Sequence, residues 1–186
     1  MSVTGNLSQI LVELTTNQRV IREEALEALV TEICQANHIF LAGAGRSGIA
    51  VRGFANRLMH LGKSVSLVGD VTNPHSSPGD LLIVGSGSGE TESLVALARK
   101  ARRGNVKIGL ITMDEASTIG QLADVVVVLP GVSPKLRSMT QVTSVQPMGS
   151  AFEQMSFLTY DAIILELMQQ TGETTDTMFP RHADLE

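Results

Sequence analysis

Two Gly/Ser stretches hold the residue types from which an anion site can be built. Gly-Ser-Gly-Ser-Gly-Glu-Thr (85–91) sets the hydroxyls of Ser86, Ser88 and Thr91 among glycines that let backbone N–H groups come close to a ligand. An apolar run, residues 81–84, precedes it, and the helical spacing of Leu94, Val95, Leu97, Ala98 and Ala101 follows. A strand that feeds such a loop and then a helix aims free N–H groups and the positive end of the helix dipole at the loop. The stretch lacks the Lys of a G-x-x-x-x-G-K-[ST] loop, so it points to a phosphate ester rather than a magnesium nucleotide. Gly-Ala-Gly-Arg-Ser-Gly (43–48) is the second stretch and offers Gly45, Arg46 and Ser47. For one such loop, a tight turn with Ser or Thr caps is an equal reading. Two of them favour anion binding.

Acid–base groups are sparse. Ser150 and Glu153 have capping-box spacing, which makes Glu153 a helix cap. Phe157, Tyr160 and Ile164 continue from it at helical intervals, so Glu153 also stands in line with an apolar stripe. A carboxylate there is costly unless paired or used, and it is placed as a general base. Both readings stand on the residues alone. Of the histidines, His38 begins a strand and reads as structural. His60 falls at a helix C-terminus, where a dipole contact is the plain role. His75 lies in a proline-rich loop and His182 in a polar tail. No Cys/His cluster has metal-ligand spacing, so no metal is expected.

These groups need elements to place them. Residues 5–36 carry helical periodicity, as one helix or as two with a break near 15–17. Strands are expected at 38–42, 64–68, 81–84, 106–111 and 125–129. Helices are expected after the first Gly/Ser loop, closed by Gly62, and after the second. A short helix capped by Ser117 should run to Leu122, and a strongly apolar one should span 150–170. Pro74 and Pro78 make 69–79 a polar loop, and 131–149 shows no period. The order implies an α/β fold, a five-stranded parallel sheet flanked by helices, with ligands beyond the carboxyl ends of the strands. The first loop also fits G-x-G-x-x-G, with Asp70 placed like a ribose-binding acid. That dinucleotide reading leaves the second loop unexplained, and the chain is too short to add a substrate domain.

Bulk properties narrow the partners. The 186 residues fit one domain over 1–186, with a net charge of −5 and no basic cluster, which argues against nucleic acid. A hydrophobic fraction of 43% suggests further burial between subunits. Cys34 is the one cysteine, so no intrachain disulfide can form, and its apolar setting predicts a buried thiol. The N-terminus has no signal-peptide pattern, and the longest apolar run is too short to span a membrane. A cytoplasmic protein is expected.

Taken together, the 43–48 and 86–91 loops, Gln-Pro-Met-Gly-Ser-Ala-Phe-Glu-Gln (146–154) and the terminal Arg-His-Ala-Asp-Leu-Glu (181–186) resemble the sugar isomerase (SIS) domain family. The Arg-Ser-Gly ending of the first loop, the helix around Ala-Asn-Arg-Leu-Met-His-Leu-Gly, the Phe-Glu-Gln segment and the tail are similar to its 6-phospho-3-hexuloisomerase branch. The resemblance implies a flavodoxin-like, Rossmann-like sandwich, commonly a homotetramer. It implies interconversion of D-arabino-3-hexulose 6-phosphate and D-fructose 6-phosphate without a cofactor, in the ribulose monophosphate route of formaldehyde fixation, after hexulose-phosphate synthase. It casts Glu153 as base and His182 as its partner, reaching a neighbouring subunit through the tail. Gly45, Arg46, Ser47, Ser86, Ser88 and Thr91 would hold the sugar phosphate. A non-catalytic sugar-phosphate sensor, or an isomerase of another sugar phosphate, is the rival expectation. The family has a Gly-Glu pair where this chain has Gly69-Asp70, and His75 has no match.

Overall fold

The computed structural model describes residues 2–133 and 144–185. Helix α1 (Val3–Asn17) starts where Ser2 Oγ accepts the Gly5 N–H at 3.1 Å. A 3-10 turn, Gln18–Val20, separates it from α2 (Glu23–Gln35), so the expected break is real. Glu23 and Glu24 sit in the first turn of α2, where negative charge suits the helix dipole. Then follow β1 (Ile39–Gly43), α3 (Gly45–His60), β2 (Val65–Leu67), β3 (Leu81–Gly85), α4 (Glu92–Arg103), β4 (Lys107–Thr112) and β5 (Val125–Val128). The long helix α5 (Ser150–Thr171) and the short α6 (Thr175–Met178) close the chain.

All strand pairs are parallel, and the sheet order is β2-β1-β3-β4-β5. The five expected strands and their parallel sheet are therefore found. Central β3 is buried from end to end, as a parallel strand covered on both faces must be. Side chains alternate between two cores. Leu41 and Ile83 face α2, α3 and α5, with Leu29, Ile33, Phe54 and Leu167. Phe40, Leu82 and Val84 face α4, with Leu94, Ala98 and Leu110. Each such Leu, Ile or Phe contributes roughly 1.5–3 kcal/mol by leaving water.

Several expectations need correction. Cys34 is exposed, with its thiol 3.7 Å from Gln170 Oε1. Apolar periodicity turns Leu29, Val30 and Ile33 inward, and Cys34 falls one step off that face. The short helix expected after Ser117 is one turn of 3-10 helix, Gly120–Leu122, with Ser117 Oγ accepting the Gly120 N–H at 3.2 Å. The polar tail is folded: Thr174 caps α6, and a third 3-10 turn, Phe179–Arg181, packs against α3. The loop expected over 131–149 lies largely outside the described residues. Its end is tied down, because Glu13 of α1 accepts hydrogen bonds from Ser144 Oγ and the Val145 N–H.

Candidate active site

The strand order reverses at β1 and β3, since the chain goes outward from β1 to β2 and then crosses to β3. Gly43 and Gly85 are register partners in that pair, so both Gly/Ser loops leave the sheet side by side at the same height. This is the switch point at which open parallel sheets take ligands. A cleft of about 330 Å³ lies there. Gly45 and Ser47 of α3 line it, with Ser86, Ser88 and Thr91 of the second loop and Gly149 and Glu153 of α5. Met113 and Phe152 supply its apolar surface.

Three helix N-termini meet at this cleft, and none is closed by a capping side chain. The N-cap positions of α3, α4 and α5 are Ala44, Thr91 and Gly149, all without a side-chain cap bond. First-turn N–H groups have no helical acceptor, so these ends offer neutral donors and positive dipole ends to an anion. The hydroxyls add to them. Ser86 Oγ accepts the Gly89 N–H and Ser88 Oγ the Glu90 N–H, both at 3.2 Å, which leaves each O–H proton able to donate outward. Thr91 keeps its hydroxyl, since it does not spend it on capping α4.

The second loop is braced from behind. The Gly87 carbonyl accepts from the Met113 N–H at 3.0 Å and from Thr112 Oγ1 at 3.1 Å. Gly89 has φ +62°, and a Cβ there would lie 2.0 Å from Ser117 Oγ, so only glycine fits. Ser117, which accepts the Gly120 N–H at the start of the 3-10 turn, also sits buried under this loop.

Glu153 stands at the cleft with its side chain 20% exposed. It is not a cap: Gly149 takes the N-cap position of α5, one residue ahead of Ser150, and the expected capping box is absent. Its Oε2 instead accepts a hydrogen bond from Arg46 Nε at 2.5 Å. Arg46 is 60% exposed and stands outside the cleft lining, whereas its neighbours Gly45 and Ser47 are within it.

The histidines are elsewhere. His182 stacks on buried His60, with ring centroids 5.1 Å apart. Both line a separate recess of about 530 Å³ between α3, α5 and the tail, together with Arg57, Asp161 and Phe179. Within one chain, His182 and Glu153 therefore belong to different hollows. His38 bonds Ser64 and Ser66, a structural role as expected. His75 is exposed in its loop. Asp70 lines another recess beside Arg52 and Asn73, away from both Gly/Ser loops, so the arrangement of a dinucleotide site is missing. Among the described residues no group of acidic, Cys or His side chains could hold a metal ion, and no helix is long and apolar enough to cross a membrane.

Comparison with known proteins agrees with this geometry. The model of the SIS domain family matches residues 32–176. The 3-hexulose-6-phosphate isomerase of Bacillus subtilis (strain 168) is 44% identical over 186 residues, covering 100% of both chains. The protein of the same name from Mycobacterium gastri is 38% identical, over 99% of this chain and 92% of that protein. A solved structure from Methanococcus jannaschii, taken to infer a molecular function of 3-hexulose-6-phosphate isomerase, superposes with a TM-score of 0.84 at 31% identity, over 98% and 99% of the two chains. The family match over residues 32–176 and the full-length identity lead to one assignment: the chain belongs to the SIS domain family.

Proposed function

We infer that the protein is an isomerase that interconverts D-arabino-3-hexulose 6-phosphate and D-fructose 6-phosphate through an enediolate. The observation that carries this reading is the carboxylate of Glu153 at a cleft whose other described polar groups are neutral donors. Full-length identity of 44% to a 3-hexulose-6-phosphate isomerase supports the substrate. The phosphate rests on the N-termini of α3 and α4 and on Ser47, Ser86, Ser88 and Thr91. The sugar then extends towards Glu153. In the direction of fructose 6-phosphate, Glu153 takes the proton from C2 of the 3-ketose. The C2–H electrons form the C2–C3 double bond, and the C3 carbonyl oxygen becomes the enediolate oxygen. The C2 hydroxyl proton passes to the C3 oxygen, and return of the abstracted proton to C3 as the C2 carbonyl forms gives the 2-ketose. This transfer needs a base and oxyanion donors, and atoms and electrons balance without an oxidant.

His182 is proposed to move protons between the two oxygens in the site of a neighbouring subunit, since it does not reach Glu153 in its own chain. The assembly proposed is a homotetramer. Apolar side chains exposed on α1 and α5, among them Leu7, Leu11, Phe157 and Leu165, support association. A charged phosphate ester is met inside the cell, so the working place is proposed to be the cytoplasm, in the ribulose monophosphate route after hexulose-phosphate synthase. A sugar-phosphate sensor would need the loops but has no use for Glu153.

The test is turnover of D-fructose 6-phosphate in deuterated water, with no metal or nicotinamide added. Deuterium at C3 of the remaining fructose 6-phosphate and at C2 of newly formed 3-hexulose is expected by NMR. Saturable binding without exchange would support the sensor instead.

A further inference from the structure

Arg46 was expected to hold the substrate phosphate, but its place in the structure suggests different work. It projects from the first turn of α3 and leaves the cleft wall to Gly45 and Ser47. Its Nε–H bonds Oε2 of Glu153, 107 positions away in the chain, and so joins the N-terminus of α3 to that of α5. Glu153 has two oxygens, and the structure treats them differently. Oε2 is tied to the guanidinium. Oε1 lies beside Gly149, 3.6 Å from where a Cβ on that residue would stand, and has no hydrogen-bond partner among the described residues.

We propose that Arg46 is a positioning residue: it anchors Oε2 of Glu153 so that Oε1 is the oxygen that takes the proton from carbon. The inference rests on the reading of Glu153 as the base. A glutamate has several rotatable bonds, and at a cleft mouth an unheld carboxylate would sample many directions. Proton abstraction needs the oxygen within hydrogen-bond reach of one C–H bond. The planar guanidinium fixes one oxygen in a defined plane and thereby aims the other. The uncapped start of α5 gives the anchor its purpose, because no Ser or Thr reaches back to steady this turn.

The test uses full-length Arg46→Gln, Arg46→Lys, Glu153→Gln and the double variant, assayed with D-fructose 6-phosphate. Arg46→Gln should lower kcat about a hundredfold, the cost of a misaimed group, while KM stays within about threefold. Arg46→Lys should recover about a tenth to a half of wild-type kcat, because an ammonium can still hold Oε2. The Arg46→Gln change should add nothing further to Glu153→Gln, since it acts only through that carboxylate. A raised KM with unchanged kcat would overturn the proposal in favour of direct phosphate contact. Equal fold losses from Arg46→Gln in the wild-type and Glu153→Gln backgrounds would also overturn it. If Glu153→Gln alone keeps nearly full turnover, the base assignment fails first, whatever Arg46 does.

Discussion

Gly43 and Gly48 touch backbone to backbone where β1 passes into α3. A Cβ on Gly48 would lie 2.8 Å from the Gly43 carbonyl oxygen, and a Cβ on Gly43 would lie 2.9 Å from Gly48 Cα. The first Gly/Ser loop is thus held in shape by an absence of side chains at both of its ends. Gly48→Ala must push α3 away from the strand. Overpacking of this kind costs about 1–3 kcal/mol. A lower Tm and a several-fold higher KM for D-fructose 6-phosphate are expected, and a KM equal to wild type would separate this contact from binding.

Tyr160 lies under the other loop. Its hydroxyl would be 2.9 Å from a Cβ on Gly85, is fully buried and has no hydrogen-bond partner among the described residues. Burial pushes its ionisation far above the ordinary value of 10.0, so it stays a neutral phenol throughout the working range. The ring contributes, since it stacks on Phe54 at 4.6 Å, whereas the hydroxyl is a desolvated cost. Tyr160→Phe should therefore be neutral or stabilising by about 1 kcal/mol in urea unfolding. A loss of stability would mean that the hydroxyl has a partner, such as a buried water.

The tail is clamped by Arg181, which donates to the His60 carbonyl at 2.7 Å and to Glu173 Oε1 at 2.8 Å. Hydrogen bonds from Arg181 and Thr177 hold the Glu173 carboxyl below its usual value of 4.5. A lowered native value means that the contact's stabilisation is complete above the unfolded-state value. It is lost as pH falls through the lowered one. Proteolysis of the tail should thus accelerate only in that acidic window. Glu173→Gln should show the faster cleavage already at neutral pH.

His182 offers a test of sharing between subunits. Homomers of Glu153→Gln and of His182→Ala should each be nearly inactive. Unfolding and refolding them together should restore about a quarter of wild-type activity, the random share if two chains complete each site. No recovery would place His182 outside its neighbour's chemistry.

Much of this was legible in the chain. Apolar runs bounded by Gly and Asp marked five strands, and their alternation with helices implied the parallel sheet. The two loops were visible because tight Gly/Ser turns need local composition, and local composition is what a sequence displays. The Arg46–Glu153 pair was hidden because a contact across 107 positions leaves no periodic trace. The Ser150/Glu153 spacing misled for a related reason. Gly149 can occupy the N-cap position without a side chain, so a capping pattern one residue later was left unused. Cys34 shows that an apolar residue within a helix follows its angular position rather than its type.

On the proposed function the cleft meets its anion with peptide dipoles and hydroxyls, and no lysine stands among its described lining residues. An open-chain ketose carries a carbonyl that condenses readily with amines. A lysine at the phosphate would have strengthened binding, but it would also have put a nucleophile within reach of that carbonyl. By relying on backbone donors, the site can retain a reactive sugar without becoming glycated by it.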